Sequence, residues 1–366
     1  MSLNKTISYA CLGLLVCTPI VAVPSAAFSR ELSNLERSRN EQTSIVREID
    51  VFGTEQITAW QVRQALGDEI TQFAEAIYSE HPNTDSSLEE LYQKIIDSIQ
   101  TMGDFAYVDI SPIMYFEEEN PIYVTIDVVD RVDASVRMPF HPKPTQTFSD
   151  PDSLLQTWTD YEMTGFELSR AGELREGINN CPALACTVGF DHPNLEGFLS
   201  FFETEILHNR DQLIQILQAD ENEVHRGNAV YLLAFAFLDD PESYVETITP
   251  AIKDSSSLVR NNALRVLGDI SHNYPEVDLP VAAIIEALQY PATTDRNKAS
   301  WRLLELAKQD RYHQLIIEQA VPVLLEMLKL QQPNNHDPAY ATLKAISGEQ
   351  YGSRDYAAWE QWAAHQ

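Results

Sequence analysis

Cys181 and Cys186, in the stretch NNCPALACTVGF, are the residues whose type and spacing most directly suggest chemistry. Of the four cysteines, Cys11 and Cys17 lie in an apolar leader, which leaves one pair. In an exported chain that pair reads as a small disulfide clipping a short loop. A zinc site would need two further ligands, of which His192 offers one and no fourth suggests itself. Elsewhere the sequence has no HExxH, no GxSxG, no glycine-rich phosphate loop and no DxDxDG calcium loop. Nine histidines are scattered, His141, His192, His208, His225 and His272 among them; His208 and His225 are the two that a helix turn would bring closest. With 55 acidic residues, neighbouring carboxylates arise by chance and say nothing of acid–base work. Only 13 glycines are available for the tight backbone approaches that cofactors need. The expectation is a protein that is not an enzyme, with no catalytic residue, cofactor or metal ligand. A hydrolase with a site near Cys181 to His192 is the alternative.

Charge narrows the partners. The formal net charge is -30, a field that repels nucleic acid phosphates and anionic membrane surfaces. It favours a protein partner with a basic surface. Residues 1–27 combine one Lys, an apolar run from Ile7 to Val23 and small residues at Ser25, Ala26 and Ala27, the pattern of a cleaved export signal. Its removal would delete Lys5 and no acid, leave no membrane span, and place the protein in the periplasm or outside the cell.

Any such chemistry must be positioned by the elements that follow. Residues 28–44 read as a flexible leader. From 45 to 133 the pattern is β-α-α-β-β. IVREIDVFG is a strand. Ile57, Trp60, Val62, Leu66, Ile70, Phe73 and Ile77 keep helical period with Thr54 as a cap, and Leu88, Leu91, Ile95, Ile96 and Ile99 mark a second helix. FAYVDISPIMYF is a strand with a bulge or break expected at Pro112. YVTIDVV alternates, with Tyr123, Thr125 and Asp127 on one side, after a turn made by Glu117 to Pro121. Residues 134–200 form a proline-rich connector with short helices and the cysteine pair, either cover for the next domain or a binding loop. Residues 201–366 are amphipathic helices joined by short Asp-, Pro- and Asn-bearing loops. The fold class is thus multidomain: a small α+β domain, then an all-α superhelical solenoid.

The helical part repeats. DENEVHRGNAVYLLAFA, 220–236, returns as DSSSLVRNNALRVLGDI, 254–270. Arg226, Arg260 and Arg296 hold one register, followed by Ala229, Ala263 and Ala299 and by Leu233, Leu267 and Leu303. Paired helices at such a period cannot bury their apolar faces singly and must stack. The third unit is less regular, because Arg302 stands where Val266 predicts an apolar residue. This pattern resembles the HEAT repeat family over about 201–347. The resemblance implies that Asp220, Arg226, Asp254, Arg260 and Arg296 are interrepeat struts, an Asp–Arg ladder that stops at the third unit, where Tyr290 replaces the Asp. Tyr351, Tyr356, Trp359 and Trp362 read as a capping helix, with a partner-binding patch as the second reading.

Residues 46–133 resemble a POTRA domain, the periplasmic module found in front of outer-membrane assembly barrels. IDVFG, ITAWQVRQAL, YQKIIDSIQTMGDFAYVDI and YVTIDVVDR carry the likeness. No barrel sequence follows and there is no series of such domains, which is a departure. The resemblance implies a sheet edge able to accept a partner strand. The leading expectation is an exported interaction or scaffolding protein that uses its solenoid groove; an envelope or outer-membrane assembly factor is the runner-up.

Overall fold

A computed structural model of the chain describes residues 45–78, 86–115, 119–174 and 180–366. The export-signal and leader expectations, and Glu117 and Glu118 of the turn, lie outside the described residues. A three-stranded sheet with two helices is followed by an all-α part of solenoid class.

β1 (Ile45–Phe52), α1 (Ala59–Ile77), α2 (Ser86–Gln100), β2 (Phe105–Met114) and β3 (Pro121–Asp130) follow in the expected order. The sheet order is β1-β3-β2, with β1 parallel and β2 antiparallel to β3. A parallel pair cannot be joined by a tight turn, so α1 and α2 belong to the crossover. Ile122, Val124, Ile126 and Val128 of β3 pack with Val62, Leu66, Ile70, Ile95 and Ile99 in one core. Trp60, assigned to that stripe, is instead 69% exposed. Thr54 does not cap α1. The helix starts four residues later, where Thr58 and Gln61 exchange hydrogen bonds in a capping box. Thr58→Ala should therefore cost about 1 kcal/mol by urea denaturation, whereas Thr54→Ala should leave the helix end unchanged. No break occurs at Pro112, which pairs with Val124; the register shift lies between Phe105 and Tyr107. An edge strand tolerates proline because one row of its N–H groups has no ladder partner.

Compactness divides the chain into two units. Of the described residues, one contains those from 45 to 139, Leu288–Ser300 and Asp310–Gln366, the other those of Phe140–Ala287 and Trp301–Gln309. In the first, β3 is buried on both faces: Thr125 and Asp127, the polar side, are fully inaccessible. Asp50 of β1 accepts hydrogen bonds from the backbone N–H groups of Gln331 (2.7 Å) and Gln332 (3.2 Å), ahead of α11 (Pro333–Ser347). A carboxylate at a helix N-terminus meets amides that have no intrahelical acceptor. Arg137 donates to the carbonyls of Gly53 (2.7 Å), Val128 (2.7 Å) and Gln289 (3.0 Å). Gly53 has φ +90°, and a side chain there would collide with that guanidinium. α10 (His313–Leu328) packs on α11 and on α12 (Tyr356–Ala363).

In the second unit the connector holds one long helix, α3 (Leu154–Arg170), packed on α4 (Pro193–Ala219), itself a single helix of 27 residues. α5 (Glu223–Ala236), α6 (Pro241–Ile248), α7 (Ser257–Asn273) and α8 (Val281–Ala287) follow; α9 (Thr293–Leu306) contributes its last turns. Proline-rich residues 140–149 run extended along the repeat turns: His141 N–H bonds Lys253 O (2.8 Å), and Gln146 bridges to Asp220.

Candidate functional site

The repeat register predicts a shared seam, and its members are inaccessible. Ala229, Ala263, Ala299, Leu233, Leu267 and Leu303 have no exposed surface. Beside it the arginines do one job three times. Nη1 of Arg226 donates to Asp220 O (2.6 Å), that of Arg260 to Asp254 O (2.8 Å) and that of Arg296 to Tyr290 O (3.1 Å). Each ties the second helix of its unit to the turn six residues earlier. The remaining guanidinium edge or face takes a different partner in each unit. Arg226 grips the Asp254 carboxylate through Nε (2.8 Å) and Nη2 (2.7 Å), a bidentate pair. Arg260 lies over the Phe140 ring, 3.9 Å from its centroid. Arg296 donates from Nη2 to Asp127 Oδ1 (2.6 Å) and covers the Phe52 ring at 4.0 Å.

At Arg296, where Tyr290 stands in place of the expected aspartate, a carboxylate from the sheet takes that role within the first unit. Asp127 also accepts from Thr293 Oγ1 (2.7 Å) and Ser111 Oγ (3.0 Å). Asp220 serves the first turn: its carboxylate takes the Asn222 N–H (2.8 Å) and the His225 ring (3.0 Å). His208 contacts Thr204 O on α4 (3.2 Å), so the two histidines have separate partners.

Cys181 and Cys186 are bonded, with Cα atoms 5.9 Å apart. The loop they clip points inward. Leu184, Ala185, Cys186 and Phe190 are buried, Leu184 N–H bonds Ala234 O (3.2 Å), and Phe190 stacks on Tyr161 at 4.8 Å. His192 caps α4 through Nδ1 and the Asn194 N–H (3.2 Å). The connector aromatics build an interior with the helices: Trp158 stacks on Tyr231 at 5.4 Å and meets Phe202 at 5.4 Å. At the C-terminus Trp359 is fully buried, its indole bonded to Gly352 O (3.0 Å), with Tyr351 at 5.1 Å and Trp362 at 6.1 Å. Tyr351, Tyr356 and Trp362 keep partial exposure, and the Tyr356 hydroxyl accepts from Arg354 (3.1 Å).

One constellation escaped sequence reading. Glu162 of α3, Tyr231 of α5, Arg265 and Asp269 of α7 and Arg302 of α9 interact electrostatically in the second unit. A side chain at 268 would occupy the place of the Arg302 guanidinium, so Gly268 is the notch in which it lies. Burial pushes the Glu162 carboxyl up to about 7, against the pull of Trp158 and Arg265. Burial likewise lifts Asp269 to about 6, against Arg302, Arg265 and His272. Desolvation lowers Arg302 from its ordinary value, with Asp269 and Glu305 opposing. The signal in the sequence was Arg302 itself, a charge at a seam register.

The raised carboxyls fix a pH dependence. Their native forms hold protons that the unfolded chain has released, so their stabilising contribution is complete below the unfolded values, 3.8 for Asp269 and 4.5 for Glu162. It is lost as pH rises through the folded ones, at up to about 1.4 kcal/mol per pH unit for each group. Glu162→Gln should be more stable than the parent above neutrality and similar to it in acid. Urea midpoints across that range check this; a parent curve that rises with pH in this window would contradict it.

Residues 210–312 match the family model for HEAT repeats. That span contains the seam and most of the ladder, and supports protein partners for the helical part. No curated protein matches the chain. No helix among the described residues is long and apolar enough to cross a membrane.

Proposed function

We propose that this is an exported scaffold, periplasmic or secreted and without catalytic activity, that binds a protein partner through the face of its HEAT-like helices. The observation that supports this reading is the threefold register of buried alanine, leucine and tied arginine. Helix pairs that repeat their buried positions in this way characteristically stack, each adding similar contacts to a binding face. The net charge of -30 selects a partner with a basic surface and disfavours nucleic acid. Tyr351, Tyr356 and Trp362 offer an aromatic edge at the end of the helices for that contact. The test is capture by the immobilised full chain from its native envelope at low and high salt. A basic protein held at low salt and released at high salt is expected; no retained protein under either condition overturns the reading.

The sheet favours a second reading. Its order leaves β1 and β2 as edges, and its β-α-α-β-β course accords with the POTRA likeness. The protein would then serve envelope or outer-membrane assembly, with an edge pairing to a partner strand. Proline at an outward position of β2 would abolish capture of an assembly component in that case and leave capture by the helices intact.

A further inference from the structure

The charged constellation of the second unit is not used by the proposed scaffold role. Its arginines are incompletely paired: Nε of Arg265 and Nε of Arg302 are buried with no hydrogen-bond partner among the described residues. Neither forms an ion pair within 4 Å with a described carboxylate, unlike Arg226 and Arg296. Both residues remain partly open to solvent, and Tyr231, which interacts with Arg265 and Arg302, is buried and stacks on Trp158. Charge–charge interactions gain strength where water is excluded on one side. Gly268 gives Arg302 its seat, which no other residue type would leave free.

We propose that Arg265 and Arg302 form a binding site for an oxyanion, a carboxylate or phosphate group carried by a ligand. Two guanidinium groups carry planar N–H forks that fit such a group, and the Tyr231 phenol lies near enough to Arg265 to interact with it electrostatically. The site does not depend on who the protein partner is.

Its occupancy follows pH. The facing titratable groups are Glu162 from α3, Tyr231 from α5, Tyr244 from α6, Asp269 and His272 on α7, and Glu305 beside Arg302 on α9. At high pH Glu162 and Asp269 are ionised and compete for the arginines. Once protonated they become donors and leave the guanidinium charge to the incoming anion. Binding therefore strengthens from mildly alkaline to mildly acid conditions, and exposed His272 adds positive charge in the same direction.

The test is calorimetric titration of the full chain with inorganic phosphate and, separately, with succinate, at about pH 5.5 and about pH 8. Whichever probe binds identifies the source of the oxyanion. The expected result is affinity about tenfold or more higher at the lower pH. Arg302→Gln should lose binding. Asp269→Asn should bind more tightly than the parent at about pH 8 and keep only part of the pH dependence, the part due to Glu162, a gain that misfolding cannot imitate. Gly268→Ala, which displaces Arg302 without removing its charge, should weaken binding about tenfold with circular dichroism unchanged. No heat with either probe at either pH, or affinity indifferent to both Asp269→Asn and Arg302→Gln, overturns the site.

Discussion

Asp127→Ala is expected to destabilise the first unit by about 3–5 kcal/mol, enough to consume much of a typical domain's margin. The carboxylate is fully buried and is the acceptor for Arg296, Thr293 and Ser111 together. Its removal leaves the Arg296 guanidinium, equally inaccessible, with carbonyl oxygens and the face of Phe52 but no counter-ion. Asp127→Asn keeps the shape and some hydrogen bonds, so it should fall between parent and alanine. Asp127→Ala combined with Arg296→Met should recover part of the loss, because a buried pair replaced by apolar groups often costs little. Urea midpoints of the four proteins check the order. A single alanine variant with an unchanged midpoint would mean that Arg296 finds another acceptor and that the sheet contributes no rung.

That interaction also marks the limit of what the sequence reveals. The alternation of β3 was legible as polar against apolar, since the period of a strand is two. Burial of the polar side was not, because Thr293 and Arg296 stand more than 160 positions away and no local rule links them. The Ala–Leu seam was readable because helical units repeat their spacing and each register must be filled alike. The cysteine pair was readable because only two cysteines lie outside the apolar leader; the inward course of its loop was not, since that depends on Tyr161, Phe190 and Ala234 lying close together.

Thr54 and Trp60 fail for a different reason. Several residues before α1 satisfy the chemistry of a cap, and the choice of Thr58 sets the helix start four positions on, which turns Trp60 outward. The Glu162–Arg265–Asp269–Arg302 group was hidden by abundance: in a chain with 55 acidic residues no particular pair stands out. Only Arg302, polar where the repeat demands apolar, carried a hint. Departures from an otherwise consistent pattern are where function is expected.

The second large effect is Arg226→Ala. Arg226 is 1% exposed and joins two levels: the Asp220 carbonyl of its own turn, and both carboxylate oxygens of Asp254 in the next repeat. Removing it strands the Asp254 carboxylate, which keeps the Ser256 N–H (2.7 Å) but loses its counter-charge. A cost of about 3–5 kcal/mol is expected for the second unit. Asp254→Ala should cost somewhat less, because Arg226 retains the Asp220 carbonyl. The two changes act on one pair, so the double variant should be more stable than the summed losses imply, with a coupling of about 1–3 kcal/mol. Chemical denaturation of the four proteins closes the cycle. Strict additivity would show that the two residues stabilise their turns independently, and that the seam of Ala229 and Ala263 alone holds the neighbouring units together.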